Sequence, residues 1–371
     1  MFDLKLVQKK IMIKTVLFIC LSFFAVNQVA AQNKLPKNNI CADETSLSGQ
    51  IIGFANPNKL ILVFSTQDVL LGEKSYQATI YPDGKFNVRL PLCFKYQLFG
   101  YHIMADDEDQ TKYGYGDYGY GLFMVDQNSP VKINFMFDRD SCYSVVKGNR
   151  IFRVEDQINL IPALSFFYEN MNFLISKQDF ELNMEHYAKK QLDTLCIKRI
   201  QETFNAIKLS EAAKEVLTIS FRSLYVSGPL LTYCQDAEKY GIMQAEPPLS
   251  YYRFLKKLNL QSPLWFYDIY LESLLHRLID VKAFGIKDIG DQPVEVWIND
   301  VSKKIKTIIG FSSGNFYDLL AMTAYEKQIN KNGIPLSATQ KENIRSYFKA
   351  EKQDLIKLLL RCDSSIVKYA D

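Results

Sequence analysis

Three histidines, His102, His186 and His276, are the only imidazoles in 371 residues, and none stands at a metal-ligand spacing such as His-x-x-x-His or His-Glu-x-x-His. His102 lies in the apolar run Gly100-Tyr-His-Ile-Met104, and the other two lie in stretches with helical spacing. Each reads as an ordinary core or surface histidine. Serines and carboxylates are plentiful, but there is no Gly-x-Ser-x-Gly elbow, phosphate-binding loop or dinucleotide fingerprint. The expectation is therefore no catalytic residue, no metal and no cofactor.

Two loops carry a chemical signal. Asp106-Asp107-Glu108-Asp109 offers oxygen ligands of the kind calcium prefers. It lacks the alternating ligands around a glycine that a calcium loop needs, and reads as a solvated hairpin tip. In Tyr113-Gly-Tyr-Gly-Asp-Tyr-Gly-Tyr-Gly121, the rings of Tyr113, Tyr115, Tyr118 and Tyr120 sit on a glycine-rich backbone. Tyrosine gives broad contact area plus a hydroxyl at small entropic cost, which suits a carbohydrate or a peptide. The alternative is a strand-edge hairpin whose rings cover the face of a sheet.

Of the seven cysteines, six follow residue 31: Cys41, Cys93, Cys142, Cys196, Cys234 and Cys362. None forms a Cys-x-x-Cys pair. An even number in an oxidising compartment permits disulfides without fixing their pairing. Cys41, Cys93 and Cys142 share one strand-rich segment, so a single bridge from Cys41 to Cys93 or to Cys142 is the one expected. The remaining cysteines read as structural core residues.

The elements around these residues begin with an export signal. Lys5, Lys9, Lys10 and Lys14 precede the uncharged apolar run Val16–Val26, and Val29-Ala30-Ala31 supplies small residues before Gln32. This order predicts cleavage between Ala31 and Gln32. The apolar run is roughly eleven residues, where a membrane span needs ~20, so no span is expected after cleavage. Residues 1–31 hold four lysines and one aspartate, which account for the whole formal charge of +3. A neutral remainder gives no electrostatic case for nucleic acid. Hydrophobic content of 48% excludes a generally disordered chain.

From about residue 45 to 147 the pattern is strand-like. Leu47–Phe54, Lys59–Ser65 and Ser75–Tyr81 are short β-branched and aromatic runs, and Asp83-Gly84 turns the chain into Lys85–Leu90. Further strands are expected at 96–104, 119–126 and 131–137. Near Gly148 the period changes from two to 3.6. Helices are expected over 151–178, 181–207, 209–238, 249–258, 264–281, 294–308, 314–330 and 338–361. Ser210 marks a helix start, Gly228-Pro229 a break, and Ser337-x-x-Gln340 a capping box. The fold class is α+β, with a signal peptide over 1–31, an antiparallel β-sandwich over 32–147 and an all-helical domain over 148–371.

Leu47-Ser-Gly-Gln-Ile-Ile-Gly53, Thr79–Val88 with its Pro-Asp-Gly turn, Val131–Phe135 and Val146-Lys-Gly-Asn149 follow one another in a telling order. With the tail Ile334–Phe348 and Leu355–Leu359, this order resembles the region before the thioredoxin domain in exported TlpA-like thioredoxin-family proteins of Gram-negative bacteria. The resemblance implies a periplasmic or cell-envelope location. In that family the redox work belongs to a Trp-Cys-x-x-Cys motif, and here Trp265 and Trp297 have no cysteine beside them. The resemblance thus implies a non-catalytic accessory or scaffold protein that binds an unidentified protein or peptide partner. Its alternative is a thiol-disulfide oxidoreductase whose thioredoxin domain lies beyond this chain.

Overall fold

Alternation along the strands builds the first half of the molecule. In β2 (Leu60–Asp68) every second residue, from Leu60 through Phe64 to Asp68, is buried. In β7 (Val131–Asp138) the buried set is Val131, Ile133, Phe135 and Phe137. A two-residue period does this whenever one face of a strand meets a core. The computed structural model describes residues 35–105, 117–138, 141–147, 151–170, 177–180, 184–242, 246–349 and 352–367.

With β1 (Ile40–Ile52), β3 (Gly72–Ile80), β4 (Lys85–Phe94), β5 (Tyr96–Ala105), β6 (Asp117–Asp126) and β8 (Ser141–Lys147), these strands form one sheet. Its order is β6-β5-β2-β3-β4-β1-β7-β8. The sheet is mostly antiparallel and curls until it is nearly barrel-shaped. Cys142 of β8 lies against the backbone of Gly119 in β6, and the Tyr101 and Ser144 side chains hydrogen-bond across the same gap. Inside the curl, Phe64 meets Phe123 edge-on at 6.0 Å and Phe86 lies 5.8 Å from Phe135. The expected Asp83-Gly84 turn is present: Gly84 has φ +78° and its N–H donates to the Tyr81 carbonyl at 2.8 Å.

One pairing departs from the antiparallel expectation. β1 and β7 run parallel, with Leu47 opposite Val131 and Ile52 opposite Met136. The chain leaves β6 at one edge of the sheet and crosses to β7 through residues 127–130, where the Gln127 amide donates to Asp43 of β1 at 2.7 Å. It therefore enters β7 beside β1 and in the same direction. The two strands approach closely at Gly49, where a Cβ atom would fall 1.7 Å from the Ile133 carbonyl oxygen. Only glycine fits there.

Strand gives way to helix between Lys147 and Val154, close to the expected switch. The helices are α1 (Val154–Asn170), α2 (Lys177–Phe180), α3 (Met184–Lys189), α4 (Ile197–Ala206), α5 (Glu211–Tyr225), α6 (Tyr233–Lys239), α7 (Leu271–Asp280), α8 (Val294–Ile309), α9 (Asn315–Glu326), α10 (Ala338–Tyr347) and α11 (Gln353–Val367). Ser210 caps α5 by accepting from the Ala213 N–H, and Ser337 with Gln340 forms the expected capping box of α10. Gly228 takes ψ −110° before Pro229, and this breaks the run that follows α5. Several expected helices differ in detail, with π-helical turns over Lys190–Cys196 and Lys327–Lys331. Leu249–Leu258 is wound as a tight 3₁₀ helix, 264–281 divides where Asp268 turns extended, and 338–361 divides at Phe348.

The helices pack on the sheet through shared cores. One core lies wholly within the sheet, while two others take Phe94 of β4 with Val69 and Leu70 of the β2–β3 turn, or Leu98 of β5 and Met124 of β6. Phe94 stacks on Phe266 at 5.2 Å, and Tyr96 on Tyr267 at 6.3 Å. Within the helices Phe167 and Phe221 stack at 3.6 Å, and each such buried ring contributes roughly 1.5–3 kcal/mol. Buried Asp156 accepts from the Arg153 N–H at 2.8 Å and from both the N–H and the hydroxyl of Ser210 at 2.7 Å, clipping the starts of α1 and α5 together. Asn38 donates to the carbonyls of Tyr96 at 2.8 Å and Phe266 at 3.0 Å, and the Tyr267 hydroxyl donates to the Pro36 carbonyl at 2.8 Å. Among the described residues, no helix is long and apolar enough to cross a membrane.

Candidate functional site

Helix α7 carries the polar chemistry of the helical half. Leu271, Leu274, Leu275, Leu278 and Ile279 are buried at helical spacing and hold it in the core. Glu272, His276 and Asp280 then form a row four residues apart, with Arg277 beside it.

The row meets α9 in an acid–base cluster. His276 Nε2 lies 2.7 Å from Glu326 Oε2 and 3.2 Å from Glu272 Oε1. Glu326 is buried, and its other oxygen accepts from the Asn330 amide at 2.7 Å. Burial works against the imidazolium, but Glu326, Glu272 and Asp280 together outweigh it and raise the His276 pKa above 6.5. Burial also raises Glu272, with His276 lowering it and Glu326 and Asp68 adding to the rise. Asp68, at the end of β2, accepts from the N–H groups of Leu70 and Leu71 and from the Cys93 thiol at 3.0 Å. The cluster thus joins α7, α9 and the sheet. Among the described residues, no group of three or more His, Cys, Asp or Glu side chains could hold a metal ion.

The raised imidazole pKa predicts a pH signature. A folded pKa above the unfolded value gives stability that is complete below pH 6.5 and lost as pH rises through the folded value. Wild type should lose stability in that upper window, and His276→Gln should not. Parallel pH profiles for the two proteins in urea unfolding would rule this out.

The last turn of α7, through Arg277 and Asp280, borders a cleft of about 380 Å³. Its lining joins Thr232, Gln235 and Glu238 from α6 and the turn before it to Arg277 and Asp280 of α7 and to Lys282, Glu246 and Tyr252. The volume lies in the ~300–1,000 Å³ range of ligand sites. Lys282 pairs with Glu246 at 2.8 Å. Asp280 pairs with Lys327, with Lys331 at 3.8 Å. Cys234 also lines the cleft; burial and then Glu246 raise its thiol pKa.

The tyrosine loop and the export signal fall largely elsewhere. Ala31, Gln32, Tyr113 and Tyr115 lie outside the described residues, as do Asp106–Asp109. Tyr118 lies within β6, and Tyr120, opposite His102 in that strand pair, is 60% exposed. The structure forms neither of the expected bridges: Cys41, Cys93 and Cys142 are free thiols. Cys41 and Cys93 sit on paired strands, but Cys41 faces the core inside the sheet and Cys93 the core shared with the helices. Cys142 belongs to the edge strand β8, which β7 separates from β1. Burial raises the thiols of Cys41 to about 12 and Cys142 to about 11, and holds Cys93 well above its ordinary value.

From sequence alone His276 reads as an ordinary histidine. Glu272-x-x-x-His276 was a visible signal of a helical pair, whereas Glu326 comes from a distant helix. No family model matches this chain, and no curated protein matches it.

Proposed function

We propose that this is an exported, non-redox accessory protein of the cell envelope that binds a partner or ligand in the cleft between α6 and α7. Its role is akin to that of the region before the thioredoxin domain in TlpA-like proteins, and its curled sheet is read as a sandwich closed at its corners. The observation that carries the reading is the state of the thiols. Burial raises Cys196 and Cys362 to about 12, as it does Cys41. Cys142, at about 11, leaves only about one thiolate in ten thousand at pH 7, and burial also raises Cys234; thiolate is the form that attacks a disulfide. The cleft adds charged and hydroxyl groups around a space of ligand size, with no histidine in its lining.

The test is made on the full chain expressed in a Gram-negative host. The periplasmic product should begin at Gln32 and should reduce insulin disulfides no faster than a variant lacking all its cysteines. Retention in the cytoplasm with an intact N-terminus would defeat the export reading. Clear turnover above the cysteine-free variant would defeat the non-redox reading.

A further inference from the structure

The charges around the cleft do not balance at random. Two cations and three carboxylates line it: Arg277, Lys282, Glu238, Glu246 and Asp280. The Glu246–Lys282 pair at 2.8 Å closes on itself. Asp280 is held from outside the cleft by Lys327 and Lys331. One charge of each sign is left. Arg277 on α7 and Glu238 on α6 are exposed side chains, and among the described residues neither has an ion-pair or hydrogen-bond partner.

We infer that the cleft takes a zwitterion of the amino-acid class, a short peptide with both termini free. Its carboxylate pairs with Arg277 and its ammonium with Glu238. This rests on the reading of the cleft as a binding site. The Arg277 guanidinium can grip a carboxylate through two parallel N–H donors, a fork that an ammonium lacks. A phosphate dianion is disfavoured because the lining carries more carboxylates than cations. A purely cationic ligand would leave Arg277 unanswered. Leu231, Ile242, Pro247 and Val281 also line the cleft, and Tyr252 adds a ring. Such apolar lining accepts peptide side chains without demanding one in particular.

The experiment uses pools of tripeptides randomised at every position, in three forms: both termini free, N-acetylated, and C-amidated. Binding to the full protein is read by saturation-transfer NMR. The free pool should bind about tenfold more strongly than either blocked pool. Arg277→Gln should erase the discrimination against the amide while Arg277→Lys keeps part of it, and Glu238→Gln should erase the discrimination against the acetylated pool. Equal binding of all three pools, lost on Tyr252→Ala, would overturn the zwitterion inference and leave the cleft as a binding site. Binding of none of the pools would overturn both.

Discussion

Asp268→Asn is expected to remove most of the loss of stability that the wild-type protein suffers between about pH 4 and pH 7. Asp268 is buried where the chain turns extended before α7, and its carboxyl accepts from the Tyr270 N–H at 3.0 Å. Burial pushes its pKa up to about 7 from 3.8, against smaller opposing effects of Ser223, the Tyr270 N–H and Ser220. The folded protein therefore holds a proton that the unfolded chain releases. A folded pKa above the unfolded one gives stability that is complete below the unfolded pKa and disappears as pH rises through the folded value. A rise of about three units corresponds to roughly 3–5 kcal/mol across that window. Asparagine keeps the shape and cannot ionise, so its profile should keep only the slope that the raised Glu272 and, above pH 6.5, His276 contribute. Urea unfolding at pH 4.5, 6 and 8 checks this. The His276 effect is separable because it begins where the Asp268 effect is ending. Equal slopes for wild type and Asp268→Asn between pH 4.5 and 7 would show that the Asp268 carboxyl is not the group responsible.

Lys352→Met is expected to destabilise the protein by about 3 kcal/mol, in the range for removing one partner of a buried ion pair. Asp318 on α9 is 1% exposed. It receives Lys352 Nζ at 2.7 Å and the Tyr347 hydroxyl at 3.0 Å. The ammonium also lies 5.2 Å from the centre of the Tyr347 ring. These contacts sit at the joint between α10 and α11 and fasten both to α9. Methionine keeps the stem and removes the charge, leaving a carboxylate in the core with one donor. Because Lys352 is partly exposed, the effect should fall at the low end of the usual range. Asp318→Asn combined with Lys352→Met should recover about half of the loss, since the uncompensated charge is then gone. A loss below 1 kcal/mol for Lys352→Met alone would mean that water already screens the pair.

These two sites illustrate what the sequence could and could not disclose. Local patterns were legible: the Asp83-Gly84 turn, the alternation of β2, the capping box at Ser337 and Gln340, and the break at Gly228-Pro229 all depend on residues a few positions apart. The parallel pairing of β1 with β7 was not, because the crossover that sets direction is a property of the whole sheet. Leu249–Leu258 has helical apolar spacing, yet packing wound it as 3₁₀, with Asn259 in a left-handed conformation at its end. The cleft draws on Thr232, Glu246 and Arg277, and the acid–base cluster on Asp68, His276 and Glu326. No spacing rule links residues so far apart. The cysteines failed as a guide to bridging for a geometric reason, since neighbours on paired strands can face opposite cores.

The stitch made by Pro36 and Asn38 bears on how the chain comes to be folded during synthesis. Asn38 and its acceptor Phe266 are 228 positions apart, and Tyr267 and Pro36 are 231 apart. A ribosome or a secretion channel delivers the N-terminal end first. Asn38 can bond Tyr96 early, but its contact with Phe266 and that of Pro36 with Tyr267 must wait until more than two hundred further residues have emerged. At roughly 5–20 residues per second, the wait is on the order of 10–50 seconds. The strands can pair among themselves in that time, but the surface that receives Phe266 and Tyr267 stays uncovered. The protein therefore spends its youth with an exposed aromatic face on the sheet, and a holding chaperone has that interval in which to act.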